Sequence, residues 1–156
     1  MTAAHRAPLH VVPDNDTDRA AAEDFELSAE PSGETIAARW EPENQLLGGL
    51  LWMPYTRART FCDLIPDIAI WRPMNRWVYE IIRRVTDARR DPDPVTVLAY
   101  GRQHAATQSL DPTRPPTAGQ HHRLALHLAD LYTHTVSAAA AANHARDVLD
   151  EAYRRA

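Results

Sequence analysis

The side chains here best equipped for chemistry are histidines in the last third of the chain. His121, His122, His127 and His134 invite a metal site. A zinc site needs three or four converging ligands, commonly completed by Cys or a carboxylate. His121 has no histidine one helical turn further on, and His127 and His134 lie about two turns apart. No Cys stands at ligand spacing, and these read as helix-surface histidines, so no metal is predicted. Ser28, Ser32, Ser109 and Ser137 lie outside any Gly-x-Ser-x-Gly context. Asp91 and Asp93 are explained by turn and cap chemistry. The single cysteine, Cys62, excludes an intramolecular disulfide and reads as core filler beside Phe61 and Leu64. No enzyme and no cofactor are predicted.

All 17 basic residues are Arg, and the chain contains no Lys. A G-x-x-x-x-G-K-[ST] phosphate loop is therefore impossible, as is a Lys nucleophile or Schiff base. Arg83, Arg84, Arg89 and Arg90 form the densest basic patch. At a helix C-terminus such residues complement the helix dipole. They would equally suit DNA phosphate or an acidic partner surface. Trp77 and Tyr79 lie close by, though Trp77 is needed in the core.

Residues 1 to 38 carry eight carboxylates against Arg6 and Arg19, a formal charge of −6, with no sustained apolar period. Such a segment is expected to be a disordered acidic tail, with at most a transient helix over Asp18 to Leu27. Residues 39–156 carry 15 Arg against 13 acids and form the predicted domain. No apolar run approaches the ~20 residues of a membrane span. The N-terminus lacks the apolar core of a signal peptide, so a cytoplasmic protein is expected.

The fold class predicted is all-α, a bundle of about six helices ending in an antiparallel hairpin. After a helix up to about Trp52, a second runs from Tyr55 to about Leu64, with Ala58, Phe61, Cys62 and Ile65 inward. Ile68 to Trp71 reads as an extended or turn-like link. The helix opened by Pro73 has a near-perfect buried stripe of Met74, Trp77, Val78, Ile81, Ile82 and Val85. Asn75, Arg76, Glu80, Arg83, Arg84 and Asp87 take its opposite face. Asp93 and Pro94 cap a helix from Val95 to about Ala106 that buries Val97, Leu98 and Gly101. A proline-rich loop follows at 107–119, then a helix from about Gln120 to His134. Ser137 is the expected cap of the last helix, Ala138 to Arg155. These final two helices, 120–155, constitute the hairpin.

The stretch Glu41 to Leu51 organises the rest. Leu46, Leu47, Leu50 and Leu51 share one helical face, and Pro42 suits the first turn. Gly48-Gly49 would cost about 1 kcal/mol each relative to Ala in an exposed helix. Two such costs beside a leucine face predict that another backbone packs very close.

This stretch resembles the opening helix of the N-terminal domain of DnaB-type replicative helicases. Glu41, Glu43, Leu46, Leu47, Gly48, Gly49 and Leu50 fall on that family's acidic start and apolar-Leu-Gly-Gly-Leu core. The resemblance extends to about residue 155 through Ile68 to Trp71, Pro73, the Trp77, Val78, Ile81 stripe, and Asp93 to Val97. Thr135-Val136-Ser137, His144-Ala145, Val148 and Arg155 follow in order. Val136 stands where the family usually has Pro, His144 replaces an aromatic, and Met74-Asn75-Arg76 replaces a histidine-bearing segment. The loop at 107–119 is richer in proline. The family's linker and ATPase would follow where the match ends, so a module without the motor is expected.

What the resemblance implies is a non-catalytic interaction module of DNA replication. It would form a homo-oligomer, a dimer or higher, and bind replicative helicase, primase or helicase loader. The hairpin would supply a two-fold interface of Leu124, Leu128, Leu131, Ala138, Ala141, Ala145, Val148 and Ala152. The alternatives are a DNA-binding regulator using Arg83 to Arg90, with weak nucleic-acid contact, and a degenerate remnant of a helicase.

Overall fold

The computed structural model describes residues 33–156. Of the expected disordered tail, residues 1–32, with the transient helix at 18–27, lie outside the described residues; the tail's last six residues, 33–38, are helical instead. There Gly33–Arg39 is helix α1. The remaining helices are α2 (Pro42–Leu51), α3 (Tyr55–Leu64), α4 (Pro73–Asp87), α5 (Pro94–Gly101), α6 (Ala118–Thr133) and α7 (Ala141–Arg155). Short 3-10 turns occupy Asp67–Ala69 and Ala138–Ala140. The described residues are thus all-helical, with seven α-helices and no strand.

Helix α2 is the centre. Every residue from Glu43 to Leu51 is buried, the leucine face in the core and the polar Glu43, Asn44 and Gln45 each satisfied by hydrogen bonds. It packs on α7, α6, α4 and the 138–140 turn. Each of Leu46, Leu47, Leu50 and Leu51 is sealed from solvent, worth about 1.5–3 kcal/mol apiece by area. A Cβ built on Gly48 would lie 2.6 Å from the Leu131 carbonyl oxygen, so α6's backbone runs directly against it. At Gly49 the nearest backbone atom, Ala138 Cα, would be 3.6 Å away, an ordinary contact. The close approach predicted from the glycine pair is found, with Gly48 as the position that demands it.

Helix α4 is the second centre, packed by α2, α3, α5, α6 and the 67–69 turn. Its stripe is buried as expected except at Met74, which is half-buried. With so many neighbours it also buries Asn75 and Glu80 from the face expected to be exposed. Glu80 is sheltered because it accepts hydrogen bonds from the Thr107 amide and hydroxyl. Trp77 Nε1 donates to the His104 carbonyl at 2.8 Å. These two contacts turn residues 104–107 back onto α4, which fits α5 ending at Gly101 rather than near Ala106.

Local caps follow the chemistry. Asp93 accepts from the Val95 and Thr96 amides, both at 3.0 Å. Helix α6 begins at Ala118, two residues before the expected start, because Thr117 and Gln120 form a capping box. Ser137 makes no side-chain cap. Instead Gln45 of α2 straps the turn: its Nε2 donates to the His134 carbonyl and its Oε1 accepts from the Val136 amide, both at 2.8 Å.

Candidate interaction surface

The structure relocates most of the residues expected at a dimer interface. Leu124, Leu128, Leu131, Ala141, Ala145 and Val148 are all buried in this chain's own core. The reason is the central position of α2. Helices α6 and α7 both pack on α2 rather than on each other, and α6 packs on α5 as well, where Leu124 lies against Gly101. Nothing of those six side chains is left for a second copy. Ala138 and Ala152 are half-buried, and Ala138 is committed to the neighbourhood of Gly49.

The arginine patch is also divided. Arg83 belongs to the fold: Nε meets Asp67 Oδ1 at 3.0 Å, and Nη2 donates to the Ile65 carbonyl at 3.0 Å. Its guanidinium also lies over the Tyr79 ring, 5.4 Å from the centroid. Arg84, Arg89 and Arg90 are exposed. The latter two form the end of α4. The Arg89 amide donates to Thr86 O and the Arg90 amide to Val85 O, the paired pattern of a Schellman ending. Arg89 takes the left-handed position with φ of 58°, where Gly is usual. Arg90 leans over Tyr100, 5.9 Å from its ring centroid.

The histidines are scattered rather than convergent. His121 Nε2 lies 3.0 Å from Leu98 O, and His134 Nδ1 lies 2.9 Å from Asp130 O. Among the described residues no three His, Cys, Asp or Glu come together at metal-binding distance. Burial pushes the Cys62 thiol and the Tyr79 hydroxyl up from their ordinary values. Tyr79 is occupied in donating to Ile65 O at 2.7 Å. The Asp93 carboxyl is raised by burial but held below its ordinary value by hydrogen bonds from Thr96 and Val95.

One buried cluster escaped the sequence reading. Asn75 Nδ2 donates to Glu43 Oε2 at 2.7 Å and to Asn44 Oδ1 at 2.6 Å. Glu43 also accepts from the Trp71 and Arg72 amides. With Asn75 Nδ2 committed, its Oδ1 is the acceptor for His127 Nε2 at 2.6 Å. The cluster ties α2, α4, α6 and the 70–72 link together. A signal for it existed: Asn75 stands three residues before Val78 and seven before Ile82, in register with the buried stripe.

What the surface does offer is aromatic area. Trp40 (68% exposed), Trp52 (55%) and Trp71 (64%) are three of the four tryptophans. Trp52 stacks on Tyr132 at 4.0 Å and donates to the Tyr132 carbonyl at 3.1 Å, which holds the ring pair rigid. Trp71 carries the Arg155 guanidinium 5.0 Å from its ring centroid. Ile68, Leu126 and Tyr153 are exposed as well. No helix among the described residues is long and apolar enough to cross a membrane. Comparison with models of known families, with curated proteins and with solved structures finds no match.

Proposed function

We propose that this chain is a non-catalytic, cytoplasmic association module of DNA replication, similar to the N-terminal domain of DnaB-type helicases. Its partners would be replicative helicase, primase or helicase loader. The observation that carries the reading is the exposure of Trp40, Trp52 and Trp71 on a chain whose helical stripes are otherwise largely buried. Tryptophan is enriched at protein interfaces, where its large area and limited rotamer freedom favour binding. The partner surface in this reading is that aromatic area, in place of the stripe of Leu124 to Ala152.

A second reading has its own observation. Arg84, Arg89 and Arg90 have no carboxylate partner among the described residues, which would suit a regulator that binds DNA phosphate. The two readings separate on salt. Immobilised full-length chain is offered helicase, primase, loader and oligonucleotides across a range of ionic strength. Binding to one of the three proteins that persists in moderate salt supports the association module. Binding confined to DNA, falling steeply with salt, supports the second reading instead.

A further inference from the structure

A groove of about 540 Å³ runs between the start of α2, the Trp71–Arg72 link and one flank of α7. Its arginines are all engaged within the chain. Arg72 pairs with Glu41, and Arg154 and Arg155 each reach Glu151 at 3.6 Å. Arg155 also donates to Ala69 O at 3.1 Å. Glu43 is satisfied by the 71–72 amides and Asn75. Two carboxylates on the α7 wall, Asp147 and Asp150, remain without a cationic or hydrogen-bond partner among the described residues. The groove is therefore acidic in balance, and its lining includes Trp71, whose exposed ring already carries the Arg155 guanidinium 5.0 Å from its centroid.

The complementary charge stands at the other end of α4. The turn 87–91 is exposed apart from its backbone bonds, and it presents Arg89 and Arg90 with Arg84 one turn back. Its own carboxylates are occupied: Asp87 lies 3.8 Å from Arg59, and Asp91 accepts from the Tyr55 amide. The turn is fixed by the two Schellman hydrogen bonds and positive, with Arg84, Arg89 and Arg90 against Asp87 and Asp91. Trp71 precedes α4 and Arg89 follows it, so a 15-residue helix separates groove from turn. That is about 22 Å at 1.5 Å per residue. One chain cannot close this contact on itself.

We propose that the groove receives the Arg84–Arg90 turn of a second copy of this chain, a head-to-tail contact rather than a two-fold one. It rests on reading the chain as an association module and specifies how copies meet. Such a contact joins unlike surfaces, so copies add in series and close only if the rotation between them allows. Being solvent-edged and ionic, it weakens as salt shortens the Debye length.

The test is sedimentation velocity on the full chain at about 0.01 M and about 1 M salt, where the Debye length is ~30 Å and ~3 Å. The variants are D147R/D150R, R84E/R90E and their mixture, each checked for helicity because all four positions are exposed. The expected result is association of the unaltered chain at low salt, lost at high salt. Each variant alone should be monomeric, and mixing the two should restore association, since an intact turn then meets an intact groove. A monomer at low salt, association indifferent to both variants, or a mixture that stays monomeric would each overturn the proposal. A monomeric chain that still binds helicase, primase or loader would overturn it while leaving the association module standing.

Discussion

Gly48 and Thr135 touch so closely that a Cβ built on Gly48 would stand 2.0 Å from the Thr135 hydroxyl oxygen. That hydroxyl is already tied down, donating to the Leu131 carbonyl at 2.7 Å. The same Cβ would meet Leu131 O at 2.6 Å, and a backbone oxygen cannot swing aside. Gly49 differs: its Cβ would find Ala141 Cβ at 3.4 Å and Ala138 Cα at 3.6 Å. One glycine is required by packing; its neighbour is merely tolerated.

The pair therefore gives opposite outcomes on one substitution. Gly48→Ala should destabilise the fold by about 1–3 kcal/mol through overpacking. Gly49→Ala should be neutral or stabilising by up to about 1 kcal/mol, because it removes a helix-propensity penalty. Urea midpoints of both variants decide it. Equal midpoints for Gly48→Ala and the parent chain would mean that α6 does not lie against α2 as described.

Why some of this was legible in the sequence and some not follows from those two residues. Gly48-Gly49 inside an apolar helix announced a close neighbour, and the caps of α5 announced themselves through Asp93 and Pro94. Periodicity also placed the α4 stripe correctly. What one-dimensional pattern cannot tell is which surface an apolar stripe meets. Leu124, Leu128, Val148 and their neighbours read equally well as a face awaiting a second copy and as a face awaiting the chain's own helices. Only the position of α2 between the two last helices resolves it. Polar residues were misplaced for the converse reason: Asn75 and Glu80 look like solvent residues until Glu43, His127 and Thr107 arrive from distant parts of the chain. The start of α6 is written in the sequence too, since Thr117 with Gln120 has capping-box spacing.

Ala145 tests the relocation of the hairpin face. It is buried against α2 in α7. If its stripe were an intermolecular face, Ala145→Glu would split an oligomer and leave the protomer intact. Because the stripe is core, the variant should instead lose about 2–4 kcal/mol of folding stability from an unpaired carboxylate at a buried site. Thermal melts followed by circular dichroism measure this. A melting temperature unchanged from the parent chain would contradict the burial.

Arg89 offers a gain. It holds φ of 58° at the residue following the α4 cap, a conformation that costs a side-chain-bearing residue about 1 kcal/mol relative to Gly. Arg89→Gly should raise stability by about that amount while keeping both Schellman hydrogen bonds. Chemical denaturation at high salt, where loss of one arginine's charge matters little, isolates the backbone effect. A loss of stability would show that the Arg89 side chain supports the turn in a way its exposure does not suggest.

His127 ties stability to pH, and the direction follows from its surroundings. Burial lowers its pKa from the ordinary 6.5, with nearby Arg72 acting the same way and Asp130 opposing them. The unfolded chain therefore binds the proton more readily than the folded one. In the interval below 6.5 and above the folded value, stability falls as pH falls; above 6.5 the contribution is fully present. Protonation would also place a cation beside a network whose Asn75 oxygen is already satisfied by the neutral ring's N–H. His104, lowered by burial and by Arg84, adds a dependence of the same sign, so the parent chain alone does not isolate His127. His127→Gln does, because an amide N–H can still serve Asn75 Oδ1 while nothing titrates. Stability measured from pH 7.5 down to 5 should drop more steeply in the parent chain than in His127→Gln. Parallel curves would mean that His127 titrates in the folded protein as it does in the unfolded chain, and that its link to Asn75 does not exclude the proton.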